Sequence, residues 1–302
     1  MKFSIILTTY NRGRTFLRQA IESVINQTYT NWELIIFDNY STDNTDEIIT
    51  ELKSNKIKYL KLNNNGVIAK SRNAGIKEST GEYVALIDSD DFWEINKLEE
   101  CHNYLKISNY DGLCHAENWL FDNDKRMVVN YGPEERFIYD TLLLHGNCLS
   151  PSATVVKREI LNEVGGYSEN KRFITAEDYD LWLKISKRGY KFKFSNKILG
   201  NFRVHSEAES YDTIKNAVAV TEIIKSHYSA KERRGINVAI GNCWRNAGKI
   251  SQVRGDYKHA FLAYTKSIKL NWLSIKSWIL TFTLLIPHKF FTLAYNFIKS
   301  RK

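Results

Sequence analysis

The sequence predicts an α/β fold with a mostly parallel central sheet, followed by a helical C-terminal extension. Over residues 2–88, short β-branched apolar runs alternate with segments of helical periodicity. Strands separated by helices of about ten to fifteen residues imply parallel βαβ units with helices on both sheet faces. From about residue 110 to 205 the pattern becomes α+β, and from about 211 it is helical. Two regions are therefore expected, a catalytic-type α/β domain over 1–210 and a helical extension over 211–302. With 302 residues, 43% of them apolar, the chain can build one large core or a core plus an appended unit.

The elements follow in order. "KFSIILTT" (2–9) is a continuous apolar run, hence a buried strand, and "TFLRQAIESVINQ" (15–27) repeats its apolar residues at helical spacing. "ELIIFD" (33–38) is the second strand, and "STDNTDEIITELKS" (41–54) opens a helix with a Ser/Thr/Asp capping cluster in which Asp43 is a capping candidate. "IKYLKL" (57–62), "GVIAKSRNAGIKES" (66–79) and "EYVALID" (82–88) supply the third strand, a helix and the fourth strand. Apolar stretches at 111–121, 153–156 and 190–199 and helices near 135–145 and 176–188 follow. "GDYKHAFLAYTKSIKLNW" (255–272) looks like one helix of a tetratricopeptide-type pair, though a single unit makes no repeat array.

Composition bounds the rest. "MKFSIILTTY" has no basic n-region and no small-residue cleavage site, so no secretory signal is expected. Cys101, Cys114, Cys148 and Cys243 have no metal-type spacing and read as reduced thiols of a cytosolic protein. The net charge of +9 resides in residues 249–302, which hold ten Lys/Arg and one acid.

In open parallel sheets the ligand binds beyond the carboxyl ends of the strands. Those ends carry Thr8-Thr9-Tyr10-Asn11, Asp38-Asn39, Asn63-Asn64-Asn65 and Asp88-Ser89-Asp90, so the unusual polar clusters converge on one rim. "ALIDSDDFWE" (85–94) packs Asp88, Asp90, Asp91 and Glu94 into ten residues, a density of like charge that a divalent cation would relieve. Mg²⁺ uses one or two carboxylates plus substrate phosphates. A solvated turn with Asp90 or Asp91 capping the next helix is the competing reading. An EF-hand is excluded, because Phe92 and Trp93 stand where a ligand and a glycine would be needed. Tyr10 could stack on a base, and Asp38 could accept a base N–H or a ribose hydroxyl. No Gly-rich phosphate loop of Rossmann or P-loop type is present.

"SIILTTYNR", "LIIFDNYSTDNT", "AKSRNAG", "GEYVALIDSDDFW", "VGGYSEN", "TAEDYDLWLKI" and "FRVHSEAES" occur in the order and approximate spacing of family 2 glycosyltransferases. Over roughly residues 2–206 the chain resembles the inverting, metal-dependent members of that family, which have the GT-A fold. The resemblance implies that Thr8 and Tyr10 hold the nucleobase, Asp38 reads the uracil edge and Arg72 lies near the nucleotide. It implies that Asp90 ligates Mn²⁺ or Mg²⁺ with Asp88 nearer the ribose, and that His205 completes the metal's coordination or donates to the diphosphate. Asp178 would be the general base, with Glu177 beside it in a capping or acceptor-side role. The donor would be a UDP- or dTDP-linked sugar and the acceptor a glycan or lipid-linked glycan. The alternatives are a nucleotidyltransferase, for which "TTYNRGRT" is a poor phosphate loop, and a catalytically silent sugar- or partner-binding module of the same fold.

The tail "NWLSIKSWILTFTLLIPHKFFTLAYNFIKSRK" is interrupted by Lys276 and Pro287 and leaves at most about ten continuous apolar residues where roughly twenty would span a bilayer. Trp272, Trp278 and Tyr295 with flanking lysines suit a helix lying in the headgroup region. Such a protein would be cytoplasmic and peripheral on the inner face of the membrane. The alternative is a helical cap that buries its apolar face on the catalytic domain. Nucleic acid is not an expected partner, because a phosphate-tracking groove needs no such apolar face.

Overall fold

The computed structural model describes residues 1–286 except 53, 108, 122–124, 209–210 and 229–232. The expected roles of Pro287 and Tyr295 lie outside the described residues. The first half is the predicted alternation: β1 (Phe3–Thr9), α1 (Leu17–Ile25), β2 (Trp32–Asp38), α2 (Thr45–Glu51), β3 (Ile57–Lys61), α3 (Ile68–Glu78) and β4 (Tyr83–Asp88). Strands β3-β2-β1-β4 are mutually parallel. All seven residues of β1 are buried, as expected of a strand covered on both faces.

The second half is mixed. It comprises β5 (Phe92–Trp93), α4 (Lys97–Lys106), β6 (Gly112–Phe121), β7 (Arg126–Val129), α5 (Tyr139–His145), β8 (Thr154–Lys157), α6 (Arg158–Glu163), α7 (Glu177–Lys187) and β9 (Phe192–Val204). The sheet runs β3-β2-β1-β4-β8-β6-β9-β5, with β7 paired to β6. β8 enters antiparallel to both β4 and β6, while β9 runs parallel to β6. The sheet is thus mixed rather than purely parallel, and β8 is the seam between its halves.

No helix follows the acidic stretch directly. Phe92 and Trp93 pair with Asn201 and Gly200, so neither Asp90 nor Asp91 is an N-cap. Asp43 behaves as expected, accepting the Thr45 N–H at 3.1 Å where α2 begins. It also accepts the Gly13 N–H at 2.9 Å.

Beyond Thr213 the described chain is helical: α8 (Thr213–His227), α9 (Arg233–Val253), α10 (Tyr257–Leu270) and α11 (Ile275–Phe282). Packing does not break at residue 210. Ile223 and Ile224 of α8 and Trp244 of α9 share one core with Tyr179 and Trp182 of α7. Asp180 on α7 accepts from His227 at 2.9 Å, tying α7 to the end of α8. α9 and α10 form a hairpin across Gly255, consistent with the expected helical pair.

α11 inverts the usual arrangement. Its inward residue Ser277 is fully buried and hydrogen-bonded to Ser267 and Ser274, each at 2.9 Å. Trp272, Leu273, Ile275, Ile279, Phe282 and Leu285 point outward and are exposed. The described part of the tail therefore does not bury its apolar face on the catalytic domain. No described helix is long and apolar enough to cross a membrane.

Candidate active site

The carboxyl ends of the parallel strands open on a cavity of about 680 Å³. Thr8, Tyr10, Asn39, Asn64, Asp88 and Asp90 line one side of it, as the strand-end rule requires. The rim turns through left-handed backbone at Asn11 and Tyr40, two residues past β1 and β2, and at Asn65 in the loop after β3 (φ 52°, 58° and 53°). Asparagine tolerates that region better than most side chains.

Tyr10 is 55% exposed at the mouth, an available stacking face. Asp38 is not available in the same way. It is fully buried and absent from the cavity wall. Its carboxylate accepts the Ser41 N–H and hydroxyl at 3.0 and 2.5 Å and the Tyr59 hydroxyl at 3.0 Å. The residue that faces the cavity from this strand end is Asn39, whose Oδ1 accepts the Asn64 N–H at 2.9 Å. Asp38 builds the turn that presents Asn39.

The four acids of the 88–94 stretch do not share one environment. Asp88 pairs with Arg72 at 2.7 Å, and Glu94 accepts from Asn201 at 2.8 Å. Asp91 is buried, accepting the Ser152 hydroxyl at 2.6 Å and the Arg203 N–H at 3.0 Å. Asp90 meets the His205 Nε2 at 2.9 Å. Each acid has its own protein partner, so charge density alone does not demand a cation. What singles out Asp90 is that it lines the cavity and that its partner, the buried His205, is itself a ligand-type side chain, although His205 is not part of the cavity wall.

Burial pushes the Asp90 pKa up, but the His205 hydrogen bond and the charges of His205 and Arg12 outweigh it and the net direction is down. Burial and the charges of Asp90, Glu117 and Asp88 push Asp91 well up, which suits a structural acid. Among the described residues no group of three His, Cys, Asp or Glu side chains forms a metal cage. Two protein ligands fit a hard cation that arrives with a diphosphate, since Mg²⁺ keeps waters and phosphate oxygens in its shell. Arg203 holds this corner, donating to the Asp90 carbonyl and to Gln19 while its guanidinium lies 4.7 and 4.6 Å from the Phe16 and Phe92 ring centroids.

The "SRNAG" run proves to be a structural joint. Ser71 accepts from Asn64 at 3.0 Å. Arg72 is buried and forks, one nitrogen to Asp88 and one to Glu177, each at 2.7 Å. Asn73 exchanges hydrogen bonds with the Tyr167 backbone at 2.8 and 2.9 Å. Gly75 lies on β1, where an added Cβ would come within 2.5 Å of Ile6. Arg72 lines the cavity as expected, but both ends of its fork are occupied by carboxylates. Its work in this arrangement is to lock the end of β4 to the start of α7. Glu177 is the second anchor of that lock.

Asp178 follows Glu177 and reaches the cavity half-buried. Its Oδ2 accepts the Asn147 side-chain amide at 2.8 Å. Burial first, then the Glu177 charge, push its pKa up to about 7, with Arg72 pulling the other way. Thr175, just before α7, has φ 84°, an outlier for a β-branched residue. Asn216 of α8 holds it by donating to its carbonyl at 2.8 Å. Asn216 and Val220 also line the cavity, so the helical extension contributes to the site.

Sequence reasoning missed Arg203, Asn216 and the aromatic wall of Trp119, Tyr131 and Phe202, and reached Asn147 only as part of the stretch 146–161, which corresponds in position to an acceptor-side wall. Arg203 lay in plain view inside "FRVH"; the others carry no local signal.

The strand-end rim and the Asp178 carboxylate at the start of α7 thus line one cavity beyond the carboxyl ends of the parallel strands, an arrangement suited to a group-transfer enzyme. The comparisons agree. The family model described as Glycosyl transferase family 2 matches residues 4–165. Two similar proteins from Escherichia coli are UDP-Glc:α-D-GlcNAc-diphosphoundecaprenol β-1,3-glucosyltransferases. WfaP is 30% identical over 74% of this chain and 85% of its own. WfgD is 35% identical over 61% of this chain and 69% of its own. Among solved structures, S. aureus TarS in complex with UDP-GlcNAc superposes with a TM-score of 0.60 at 18% identity, covering 94% of this chain and 91% of that one. The mannosyltransferase PcManGT from Pyrobaculum calidifontis, with GDP-Man and Mn²⁺, gives 0.61 at 16%, covering 97% and 83%. These structures establish the likeness of fold. The chain belongs to glycosyl transferase family 2, and it is a glycosyltransferase.

Proposed function

We propose that this protein moves a sugar from a UDP-linked donor to a hydroxyl of a lipid-linked glycan, with inversion at the anomeric carbon and Asp178 as general base. The observation that carries the reading is the Asp178 carboxylate, held by Asn147 and raised to about 7 across the cavity from the strand-end rim. A sugar hydroxyl is a weak nucleophile at neutral pH. Asp178 takes its proton as the new C–O bond forms, and the bond from the anomeric carbon to the phosphate oxygen breaks on the opposite face, that oxygen keeping the electron pair. A base poised near the working pH combines a useful deprotonated fraction with useful basicity. One carboxylate suffices, since no covalent glycosyl-enzyme step is involved. Asp90 and His205 would hold a divalent cation, Mn²⁺ or Mg²⁺, which when bound supplies charge neutralisation to the departing diphosphate.

Thr8, Tyr10 and Asn39 receive the nucleoside, with Tyr10 stacking on the base and Asp88 near the ribose; Asp38 acts through the turn it builds. The UDP-sugar named in both E. coli relatives supports a UDP donor, and their diphosphoundecaprenol substrates support a lipid-linked acceptor. The test is a panel of UDP-, dTDP- and GDP-sugars with Mn²⁺ or Mg²⁺, scored for nucleoside diphosphate release and the product's anomeric configuration by NMR. Retained configuration, or pyrophosphate release from a nucleoside triphosphate, overturns the reading.

The acceptor's lipid implies that the enzyme works at a membrane surface, and α11 supports peripheral contact with the inner face of the cytoplasmic membrane. Its polar side faces the protein and its apolar side faces out. From Tyr257 to Ile286 the chain contains Lys258, Lys266, Lys269 and Lys276 and no acid. An apolar helix face ringed by lysines and tryptophans suits an anionic bilayer. Vesicles containing phosphatidylglycerol should co-sediment the full chain, less so at high salt. The triple change Ile275→Asp, Ile279→Asp, Phe282→Asp should abolish that. Undiminished co-sedimentation of the triple variant, or self-association through this face with no vesicle binding, refutes the contact.

A further inference from the structure

Among the described residues the cavity wall holds three cations, all arginines: Arg12, Arg72 and Arg203. A diphosphate is the most highly charged group that a sugar nucleotide brings, so it matters which of them can turn to it. Arg72 is buried and committed to two carboxylates. Releasing it would strand both acids. Arg203 is committed to the Asp90 carbonyl and to Gln19, with its guanidinium set between the Phe16 and Phe92 rings.

Arg12 is held differently. Its carbonyl accepts the Phe16 N–H at 3.1 Å, which fixes its backbone where α1 begins. Its guanidinium crosses to the segment after β9, where Nη1 donates to the Glu207 carboxylate at 2.7 Å and Nη2 to the Glu207 carbonyl at 3.0 Å. Both residues line the cavity. The Arg12 side chain is 19% exposed and that of Glu207 70%. A pair whose acid is this exposed is readily broken, because water already competes for the carboxylate. Glu207 lies two residues past His205, and Arg12 is close enough for its charge to act on Asp90. An exposed carboxylate therefore occupies the one movable cation, among the described residues, beside the Asp90–His205 corner.

We propose that Arg12 is a ligand of the donor's diphosphate and that Glu207 is a competitor for it built into the same chain. The inference rests on the sugar-nucleotide reading and deepens it by naming what exchanges when the diphosphate enters and leaves. Nη2 keeps the Glu207 carbonyl, which holds the guanidinium in place, while Nη1 passes from the Glu207 carboxylate to a phosphate oxygen. A planar guanidinium suits phosphate as well as carboxylate, and a diphosphate carries the greater charge. When the nucleoside diphosphate departs, Glu207 takes Nη1 back, so the same contact that opposes binding assists release.

Calorimetry on the full chain with Mn²⁺ provides the test, with UDP, uridine and inorganic pyrophosphate as probes. Arg12→Gln should weaken UDP binding by about tenfold, the loss of a hydrogen bond between charged groups. Glu207→Gln should tighten it by about two- to fivefold, the worth of an exposed ion pair no longer to be broken. Neither change should alter uridine binding, and both should act on pyrophosphate as on UDP. In the Arg12→Gln background, Glu207→Gln should have no effect on UDP. A carboxylate that merely repels anions would keep its effect there, whereas one that acts through Arg12 loses it. Unchanged or weaker UDP binding by Glu207→Gln, or an effect that persists without Arg12, overturns the exchange. The full pattern with pyrophosphate, in a protein that binds no nucleoside diphosphate, would instead sink the sugar-nucleotide reading and leave the exchange standing.

Discussion

Replacing Asp178 by asparagine should destroy transfer and stabilise the fold, and the structure sets both magnitudes. The carboxyl is raised from 3.8 to about 7, by burial and by Glu177. A group whose folded pKa lies above its unfolded value binds protons more tightly in the native state. Stability is therefore lost as pH rises from about 4 to about 7 and stays low above that. Three pKa units correspond to a ceiling of about 4 kcal/mol. Water in the cavity screens part of it, leaving about 1–3 kcal/mol. Asparagine removes the penalty and keeps a carbonyl oxygen for the Asn147 amide. At about 2 °C per kcal/mol for a chain of this size, the variant should melt about 2–6 °C higher at pH 8 and no higher at pH 4. Transfer should fall about 10²- to 10⁴-fold, the usual contribution of a general base. The wild-type kcat/KM should show an acid limb near pH 7, with about a tenth of the activity left at pH 6. Thermal melts from pH 4 to 8.5 beside a nucleoside diphosphate release assay check all three. A melting difference that is the same at pH 4 and pH 8, or transfer within tenfold of wild type, refutes the assignment of Asp178.

Asp90→Ala should weaken UDP binding in the presence of Mn²⁺ by about tenfold or more, as removal of a metal ligand or its support does, and leave metal-free binding unchanged by calorimetry. His205→Ala should act in the same direction. Arg72→Met strands Asp88 and Glu177 without their cation, so it should cost about 3–5 kcal/mol in urea unfolding. Because Arg72 holds the Asp178 pKa down, the same variant should move the acid limb of kcat/KM to higher pH; a limb that stays put would separate Arg72 from the base.

Much of the parallel half was legible because its strands are continuous apolar runs bounded by polar clusters, and a doubly covered strand needs no other pattern. Asp178 and Glu177 were legible only through the motif that contains them; nothing local distinguishes them from helix-capping acids. The turn role of Asp38 had a local signal: in "DNYS" the aspartate has a serine three residues on, and its carboxylate accepts from that serine's N–H and hydroxyl. β5 could not be foreseen, because two residues in an acidic stretch become a strand only by meeting Gly200 and Asn201. Trp119 and Phe202 are the same case at longer range. Each looks like an ordinary strand residue until the β6–β9 register sets one beside the other. Their direction was hidden for a further reason. An alternating strand says which residues share a face, and it does not say which face borders a cavity.

In the proposed inverting reaction the geometry that matters is the line from base to leaving group, and a strand and a helix would hold its ends. The diphosphate end would belong to β4, through Asp88 and Asp90, and the base end to α7, through Asp178. The Arg72 fork spans these two ends, bonding Asp88 with one nitrogen and Glu177 with the other. A planar guanidinium fixes the angle as well as the distance between two carboxylates, whereas an ammonium can satisfy one and drift from the other. Arg72→Lys should therefore preserve the charge and most of the stability lost in Arg72→Met, yet recover little transfer, because a misplacement of about 1 Å between reacting groups costs on the order of a hundredfold. Full recovery of both by lysine would mean that charge alone is required at this position, and that the alignment of base and leaving group is set elsewhere.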